Sequence, residues 1–482
     1  MLIFLGVENF AKIERAKVCI NSYTILVGPN SSGKTYLMQL VQGVNERMAN
    51  LTDEEGLQIL KCGENRGSNS VTGANEGCTQ YILSQDNILS FTEYLNVKLD
   101  EKKEQIVKEV FGREVPVGKL YVDIELEENE SYEIILFDNI NNINNIIGKH
   151  DDLDLFIREN IKNTEAYKDV FSIGGTLIKY SITSKNGEVI SISMFSKYSQ
   201  KISKVKLLLR DVLEYQSLYF PASRTGIMLL FKEFFANKAD QLFSYQVNRN
   251  KPVAMKDYYG ELTQPIYQYL RFLQTYSEWI VGVQDYEEEI EFFEEKLIEG
   301  HITANKQNGF SYDSKTDHVS VPMYMASSMV NEIAPFVLAL SSAGMYNGFI
   351  IDEIEASLHP QKQLELVRFL NRLSNRGLKL ILSTHSDTFV SKVNNLYLLS
   401  NYVKQNKEKD VLEKMGLEKE DLMSPDKLFV YEFVSQPNGK SIVKEIPGDS
   451  KTGFQFDLFT ESAMHLYNEA LEIGEILQNA QT

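Results

Sequence analysis

One eight-residue segment near the start of the chain constrains the fold more than any other feature. It follows the pattern G-x-x-x-x-G-K-[ST], and the apolar run at residues 23–27 stands directly before it. Between a strand and a helix this pattern is typical of a phosphate-binding loop, because backbone amides and the helix amino terminus together form an anion site. The eight residues are Gly28, Pro29, Asn30, Ser31, Ser32, Gly33, Lys34 and Thr35. They predict a site for a nucleoside di- or triphosphate.

Two side chains at the end of this loop predict how the nucleotide is held. The ammonium group of Lys34 would reach the β- and γ-phosphates, and the hydroxyl of Thr35 would ligate Mg²⁺. After Lys34 the apolar residues Leu37, Leu40 and Val44 recur at helical spacing, which predicts the helix that such a loop needs. ATP and Mg²⁺ are therefore the expected cofactors.

The composition restricts the compartment and the partners. A chain of 482 residues with 43% hydrophobic content is an ordinary globular protein with material for two or three lobes. Three cysteines are too few for a disulfide framework, so we expect a cytoplasmic protein. The sequence lacks a signal-peptide pattern and an apolar run of about 18 residues, so no membrane partner is expected. The net charge of −18 disfavours a broad basic surface, so any DNA contact would be local or made by a partner.

Strand and helix patterns predict an α/β fold whose ATPase core is divided along the chain. Residues 1–50 carry two short strands, the phosphate loop and its helix, and they form the amino-terminal part of the core. Residues 215–226 and 301–482 form the carboxy-terminal part. The segments between these parts are predicted to be insertions.

The first of these segments, residues 51–215, is predicted to hold an insertion and a β-rich lobe. Helical spacing runs from residue 96 to residue 111. Apolar positions alternate at residues 119–137 and 175–195, which is the pattern of half-solvated antiparallel strands. The Asn-rich stretch at residues 139–145 is predicted to be a loop.

The second segment, residues 227–300, is predicted to be a helical insertion with a short coiled coil. Apolar residues recur at three- and four-residue steps from Ile266 to Leu297, and Gly300 would end the helix. Residues 228–246 would supply an antiparallel mate. The same spacing is equally expected of a helix that packs on its own domain, so both interpretations stay open.

A second motif supplies carboxylates for the same site. Residues 348–353, GFIIDE, form an apolar strand that ends in Asp352 and Glu353, where a P-loop enzyme needs them. Asp352 would hold Mg²⁺ opposite Thr35, and Glu353 would polarise the attacking water. The sequence ASLHP follows at residues 356–360.

A third motif places a histidine at the same edge of the sheet. Residues 378–384 have the pattern of a buried strand, and His385 follows them directly. An imidazole at that position would sense the γ-phosphate and help to orient water. His385 is therefore predicted to be catalytic together with Glu353 and Lys34.

The order of these motifs resembles the ABC-type ATPase heads of the SMC and RecF group. More specifically, it resembles the ATPases of OLD-family nucleases and of antiphage operons, such as AriA of PARIS and PtuA of Septu. The matching stretches are VENF at residues 7–10, ILVGPN at 25–30, YFPASR at 219–224, EASLHP at 355–360, STHS at 383–386 and YEF at 431–433. The likeness covers residues 1–48, 215–226 and 320–470, and it implies an ABC-type P-loop head with a β-rich lobe and a helical insertion.

The resemblance implies that a signature segment of one subunit completes the ATP site of another. The matching stretch is ASSMVNE at residues 326–332, followed by a helix predicted over residues 333–340. Ser327 and Ser328 would offer a hydroxyl and amides to the γ-phosphate across a homo-oligomer interface, in a dimer or a larger assembly. Met329 stands where relatives usually carry glycine, which is expected to slow hydrolysis.

Arg224 ends the YFPASR stretch and has two interpretations. The resemblance puts that stretch beside the core sheet, so Arg224 would lie near the ATP site. Alternatively, Arg224 is a structural arginine that pairs with a core carboxylate. The sequence favours neither.

The effector that the resemblance implies is expected on a separate subunit. OLD nucleases carry a Toprim domain after the head, and about 95 residues follow His385 here, much of them similar to the end of the head. Asp152 and Asp154 have Asp-x-Asp spacing but lie in an acidic helical pattern without a suitable sheet. The partner would be a Toprim-like or HNH nuclease, and a phage protein or DNA would be the trigger.

Three functions remain open at this point. The first is an antiphage ATPase that hydrolyses ATP and controls that effector. The second is a RecF-like DNA-repair clamp that acts on DNA directly. The third, suggested by Met329, is a scaffold that binds ATP and hardly hydrolyses it.

Overall fold

The computed structural model describes most of the chain. The described residues are 1–61, 78–137, 176–183, 189–196, 209–210, 212–231, 262–276, 286–305, 309–316, 318–342, 345–406, 410–456, 464–465 and 467–473. The chain divides into two compact units. The smaller unit comprises Met1–Gly6, Val44–Gln105 and Lys119–Tyr215, and the larger comprises Val7–Gly43, Ile106–Gly118 and Gln216–Thr482.

The strands are numbered in chain order. They are β1 (Leu2–Phe10), β2 (Ile13–Cys19), β3 (Tyr23–Val27), β4 (Cys78–Leu83), β5 (Lys119–Glu125), β6 (Ser131–Phe137), β7 (Thr176–Thr183), β8 (Val189–Ser196), β9 (Ser217–Phe220), β10 (Gly300–Asn305), β11 (Gly309–Ser314), β12 (Ser320–Pro322), β13 (Gly348–Ile351), β14 (Lys379–Thr384), β15 (Leu428–Ser435) and β16 (Ser441–Glu445). Three strands precede the phosphate loop rather than the predicted two, because a turn at residues 11–12 divides the alternating stretch.

The helices are numbered in the same way. They are α1 (Lys34–Asn45), α2 (Met48–Leu51), α3 (Glu54–Leu60), α4 (Ile88–Phe111), α5 (Gln264–Thr275), α6 (Glu287–Phe292), α7 (Ser328–Leu340), α8 (Pro360–Asn375), α9 (Asp387–Asn406) and α10 (Asp410–Lys414). A π-helical turn, Phe293–Ile298, continues α6. Helix α4 begins eight residues before the predicted start at residue 96, because Phe91 and Leu95 extend its buried face.

A mixed sheet organises the larger unit. Strand β3 lies between β14 and β15 and runs parallel to both. Strands β13 and β9 continue the parallel arrangement beyond β14, while β16 pairs antiparallel with β15 and parallel with β2. These seven strands follow the order β2-β16-β15-β3-β14-β13-β9. The predicted α/β fold class is confirmed.

The parallel strands have the sequences that a doubly covered sheet requires. Every residue of β3 and of β13 is buried, and both strands are apolar runs rather than alternating ones. The Phe220 ring at the end of β9 meets the rings of Phe336 and Phe349 edge-on, with centroids 4.9 Å apart in each pair. These contacts fix β9, β13 and α7 in one core.

Parallel register brings the ends of four strands to one edge of this sheet. Val27 of β3 pairs with Thr384 of β14, and Ile351 of β13 pairs with Leu382 of β14 and Phe220 of β9. The carboxyl edge of such a sheet is where α/β proteins place ligand sites. The phosphate loop, the Asp-Glu pair, His385 and the PASR segment all follow strands that end there.

The smaller unit contains an antiparallel sheet of its own. Strands β4, β6, β7 and β8 pair in that order, and each pair is antiparallel. Strands β5, β6, β7 and β8 fall on the alternating stretches of the sequence. The Asn-rich stretch at residues 139–145 and the Asp152–Asp154 pair lie outside the described residues.

The described part of the predicted helical insertion packs on the core of its own unit. Tyr269, Leu273, Phe293 and Leu297 are buried in the core of the larger unit, as expected of a helix that packs on its own domain. A helix that covers its own core buries the same three- and four-residue spacing as a coiled-coil seam, so the coiled coil stays a prediction. Residues 277–285, between α5 and α6, lie outside the described residues. The predicted mate lies mostly outside the described residues.

No helix among the described residues is long and apolar enough to cross a membrane.

Candidate ATP site

The phosphate loop lies between β3 and α1 and depends on its two glycines. Gly28 has φ +148°, and Gly33 has φ +109°. A Cβ atom at Gly28 would lie 2.7 Å from the Cβ of Phe433, so no larger residue fits there. Helix α1 begins directly after Gly33, whose carbonyl accepts a hydrogen bond of 3.0 Å from Leu37 N. The amides of this first turn can therefore point towards an anion.

Lys34 is buried inside the loop. Its Nζ donates hydrogen bonds of 2.9 Å to the carbonyl oxygens of Gly28 and Pro29. Burial lowers the pKa of Lys34 to about 8, although the carboxylates of Asp352 and Glu353 favour the charged form. The loop carbonyls thus hold the ammonium group in a position with little contact to solvent.

Asp352 is fixed by hydroxyl groups from helix α1 and from strands β9 and β14. The Thr35 hydroxyl donates to Oδ2 at 2.6 Å, the Tyr219 hydroxyl donates to the same oxygen at 3.1 Å, and the Ser383 hydroxyl donates to Oδ1 at 2.5 Å. The carboxylate is 2% exposed. The structure thus brings the two predicted Mg²⁺ ligands, Thr35 and Asp352, into direct contact.

The oxygen donors at this position suit Mg²⁺ in a nucleotide site. Mg²⁺ in such sites takes one or two protein oxygens and completes its shell with phosphates and water. One hydroxyl and one carboxylate are present, whereas the described residues contain no cluster of three or more metal-binding side chains. The set fits a metal that arrives with a nucleotide rather than one held by protein alone.

Glu353 adopts a backbone conformation that is rare for a residue with a side chain. Its φ is +48°, in the left-handed region. The Ser383 hydroxyl accepts a hydrogen bond of 2.8 Å from Glu353 N, and Arg224 donates one of 2.9 Å to its carbonyl oxygen. A left-handed residue of this kind persists when its surroundings hold it, and such residues are common at active sites.

His385 lies beside the same charges. Its backbone N–H donates to Glu355 Oε1 at 2.6 Å. Burial, and then the positive charge of Lys34, lower the pKa of His385, although Glu353 and Glu355 oppose the shift. The imidazole is therefore neutral at physiological pH, and it is close enough to Lys34 for that positive charge to lower its pKa.

Ser327 and Ser328 lie at the start of α7. Ser327 is the N-cap, since its hydroxyl accepts a hydrogen bond of 3.3 Å from Val330 N, and the helix starts five residues before its predicted start at residue 333. Both serines are exposed, while Met329 packs partly against the core. Among the described residues, neither serine forms a hydrogen bond with residues 28–35.

Arg224 combines both of its interpretations. Its side chain is fully buried and forms an ion pair of 3.0 Å with Glu332. It also donates to the carbonyl oxygens of Asp352 at 2.6 Å and Glu353 at 2.9 Å. It is a structural arginine that pairs with a core carboxylate and also holds the backbone of Asp352 and Glu353.

Several residues of the site are not apparent from the sequence alone. Tyr219 and Ser383 hold Asp352, and Glu355 holds the backbone of His385. Each lies within two residues of the end of a buried strand or of the Asp-Glu motif. Polar side chains at those positions are the signal that would have found them.

Comparison with protein families identifies the chain. Residues 1–390 match the AAA ATPase domain family. The chain belongs to the AAA ATPase domain family. The match covers the phosphate loop, the Asp-Glu pair and His385. The family supports ATPase activity in general. No curated protein matches the chain.

Solved SMC head domains are similar to this AAA ATPase domain protein at low identity. An SMC head bound to the C-winged helix domain of ScpA is 11% identical, with a TM-score of 0.34 over 92% of this chain and 97% of that chain. The SMC head of Thermotoga maritima is 10% identical, with a TM-score of 0.32 over 92% of this chain and 99% of that chain. The relationship to OLD nucleases and antiphage ATPases stays a prediction from the sequence motifs.

Proposed function

We propose that this AAA ATPase is an ABC-type, Mg²⁺-dependent enzyme that holds ATP between the phosphate loop and the carboxyl edge of the sheet. The observation that carries the proposal is the hydrogen bond of 2.6 Å from the Thr35 hydroxyl to Asp352, which joins residues 317 positions apart in the chain. In P-loop ATPases a hydroxyl and a carboxylate in this relation hold the metal against the β- and γ-phosphates. Mg²⁺ would neutralise the charge that develops on the phosphates.

Lys34 would bind the phosphates. Its ammonium group donates to two neutral loop carbonyls, and the β- and γ-phosphate oxygens are stronger, charged acceptors within reach of the same loop. Charged acceptors would raise the pKa of Lys34 above the value of about 8 that burial gives it. Nucleotide binding and protonation of Lys34 therefore favour each other.

Glu353 and His385 would act on the water that attacks the γ-phosphate. The water oxygen bonds to phosphorus, the bond to the ADP oxygen breaks, and Glu353 accepts a proton from the water. A neutral His385 imidazole can donate one hydrogen bond to the γ-phosphate and accept another from the water. The left-handed backbone of Glu353, φ +48°, is of a kind common at active sites and is compatible with this role.

A second copy of the chain would complete the site. Ser327 and Ser328 are exposed at the amino terminus of α7, where a helix offers free amides to an anion. Exposure suits a group that acts on another subunit. The proposed assembly is a homo-oligomer that closes when ATP is bound.

The resemblance to antiphage ATPases supports the cellular role that we propose. In that role the ATP-bound assembly controls a separate effector, a Toprim-like or HNH nuclease, and a phage protein or DNA is the trigger. The fold itself is compatible with many functions, so this step rests on the motifs alone.

The Mg²⁺ dependence of ATP binding tests the site. We expect Mg²⁺ to tighten ATP binding to the native chain, and Asp352→Asn to remove most of that gain and to slow hydrolysis by about 100-fold, because one metal ligand loses its charge. Titration with ATP, with and without Mg²⁺, measures binding, and the release of phosphate measures hydrolysis. Asp426→Asn is the matched control, since Asp426 is an exposed carboxylate that pairs with Lys404.

Two outcomes would count against the proposal. Equal Mg²⁺ dependence in Asp352→Asn and the native chain would reject the metal site. Hydrolysis that duplex DNA stimulates, with an effect that weakens steeply as salt rises, would favour the RecF-like clamp over effector control.

A further inference from the structure

The fully buried side chain of Arg224 forms four hydrogen bonds and one ion pair. Its Nε donates to Glu332 O at 3.0 Å, and Nη1 donates to Pro221 O at 3.1 Å and to Asp352 O at 2.6 Å. Nη2 donates to Glu353 O at 2.9 Å and faces Glu332 Oε1 at 3.0 Å. The planar guanidinium group therefore donates to four carbonyl oxygens and pairs with the charge of Glu332.

Besides Pro221, the acceptors lie on two segments with different proposed roles. Asp352 and Glu353 carry the proposed metal ligand and the proposed base, and Arg224 holds the carbonyl oxygens of both. Glu332 lies in the first turns of α7, the helix that begins with Ser328. One side chain therefore connects the backbone of the catalytic carboxylates to the helix of the signature segment.

Thr225 adds a second connection to the same helix. Its backbone N–H donates to Glu332 Oε2 at 3.0 Å, and its hydroxyl donates to that oxygen as well. The hydroxyl also lies 3.3 Å from the carbonyl oxygen of Ser328. Glu332 thus holds Arg224 with one carboxylate oxygen and Thr225 with the other.

The pair must move as a unit. Glu332 is 2% exposed and Arg224 is fully buried, so separation would leave two unpaired charges without solvent. Any shift of α7 therefore acts on the carbonyl oxygens of Asp352 and Glu353. The left-handed backbone of Glu353 makes its carboxylate sensitive to such a shift, because that conformation depends on its surroundings.

We propose that Arg224 is a positioning residue that transmits contact at Ser327 and Ser328 to Glu353, so that hydrolysis is fast only when the signature segment is engaged. Arg224 touches neither nucleotide nor water in this account. It acts through the peptide between Asp352 and Glu353. The proposal rests on the proposed function of the ATP site.

Substitution of Arg224 and of Thr225 tests the connection. Arg224→Lys replaces a planar fork with a point donor, and a displacement of about 1 Å at Glu353 is expected to lower kcat about 100-fold with little change in ATP affinity. Thr225→Val removes one hydroxyl and is expected to lower kcat about threefold to tenfold, again without a change in affinity. Thr225→Ser keeps the hydroxyl and is expected to restore kcat.

Matched controls separate positioning from stability. Arg372 is also buried and pairs with Asp421 and Glu418. The Thr275 hydroxyl donates to the carbonyl oxygen of Arg271 at 3.0 Å, so it also contacts a helix carbonyl. Arg372→Lys and Thr275→Val are expected to lower the Tm and to leave kcat within about twofold of the native value, because both lie away from the site. If Arg224→Lys does not fold, the test is the kcat of Thr225→Val, compared with that of Thr225→Ser and of Thr275→Val.

A double-variant cycle tests the transmission itself. In a chain that already carries Ser327→Ala and Ser328→Ala, Thr225→Val is expected to have no further effect on kcat, because nothing remains to transmit. Independent, multiplicative effects would overturn the inference, and so would a kcat in Thr225→Val equal to that of Thr275→Val. Absence of ATP hydrolysis by the native chain would instead reject the proposed function.

Discussion

Two helix amino termini in the larger unit are arranged very differently. At the start of α1, Lys34 is buried and the Thr35 hydroxyl is hydrogen-bonded to Asp352. At the start of α7, Ser327 and Ser328 are exposed, and the neighbouring Tyr324 and Met325 are 72% and 63% exposed. Both ends offer amides to an anion, but only the first has a cation and a metal ligand beside it. The difference fits the proposal above, in which α1 begins one half of the ATP site and the exposed start of α7 contacts another copy of the chain.

The largest expected effects on ATP hydrolysis come from substitutions at the amino termini of α1 and α7, made in separate variants. Lys34→Ala should lower hydrolysis by 100-fold or more and weaken ATP binding, because the buried cation of the phosphate loop is lost. Ser327→Ala combined with Ser328→Ala should lower hydrolysis about tenfold to 100-fold while ATP binding remains, since each copy keeps its own loop. ATP titrations and single-turnover rates measure both.

Mixing these two variants sharpens the comparison. A hybrid pair contains one site with an intact loop and an intact signature segment, so an equal mixture should recover up to about a quarter of the native activity. The Tm of each variant should be measured alongside, because loss of the Ser327 cap is expected to destabilise α7 by about 1 kcal/mol. A mixture that gives only the sum of the separate activities would show that both ends act within one chain.

The sequence predicts the site at the start of α1 better than the start of α7. The phosphate loop and Asp352 are predictable because each is a short motif at the end of an apolar strand. The bonds from Tyr219, Ser383 and Arg224 are not, because they depend on which strands are neighbours, and the chain order of β9, β13 and β14 does not give that. The predicted start of α7 at residue 333 is five residues late, because the sequence alone does not show that the Ser327 side chain caps the helix.

The helical insertion shows a limit of periodicity. Its three- and four-residue spacing predicts a helix, and the described parts of the stretch, α5 and α6, are helical, but the spacing does not say what covers the apolar face. Tyr269 and Phe293 are covered by the core of their own unit. A seam between two helices would need the same residues, so only the tertiary contacts distinguish them.

The smallest expected effect is a pH dependence that belongs to the α1 end alone. Burial lowers the pKa of Lys34 from 10.5 to about 8, so in the ATP-free protein its positive charge is present below pH 8 and is lost as the pH rises above it. The carboxylates of Asp352, Glu353 and Glu355 oppose the shift, and the His385 imidazole, whose pKa is lowered, is already neutral in this range. ATP affinity should therefore change by less than about twofold from pH 7.5 to 8 and fall by at most about tenfold per pH unit above pH 8.

Lys34→Arg is the control for this effect. An arginine stays protonated throughout the range, so a variant that still binds ATP should lose the fall above pH 8. An unchanged profile in Lys34→Arg would assign the fall to another group. A native profile that is flat to pH 10 would contradict the burial of Lys34.

The most direct test of the account measures the mass of Glu353→Gln in solution with ATP and Mg²⁺. Glutamine keeps the size of the side chain but cannot accept the proton from water, so ATP should stay bound and the closed assembly should accumulate. The account predicts that the mass measured by light scattering at least doubles with ATP and not with ADP, whereas Glu413→Gln, at an exposed position on α10, behaves like the native chain. A Glu353→Gln chain that is saturated with ATP and remains monomeric would contradict the claim that a second copy completes the site.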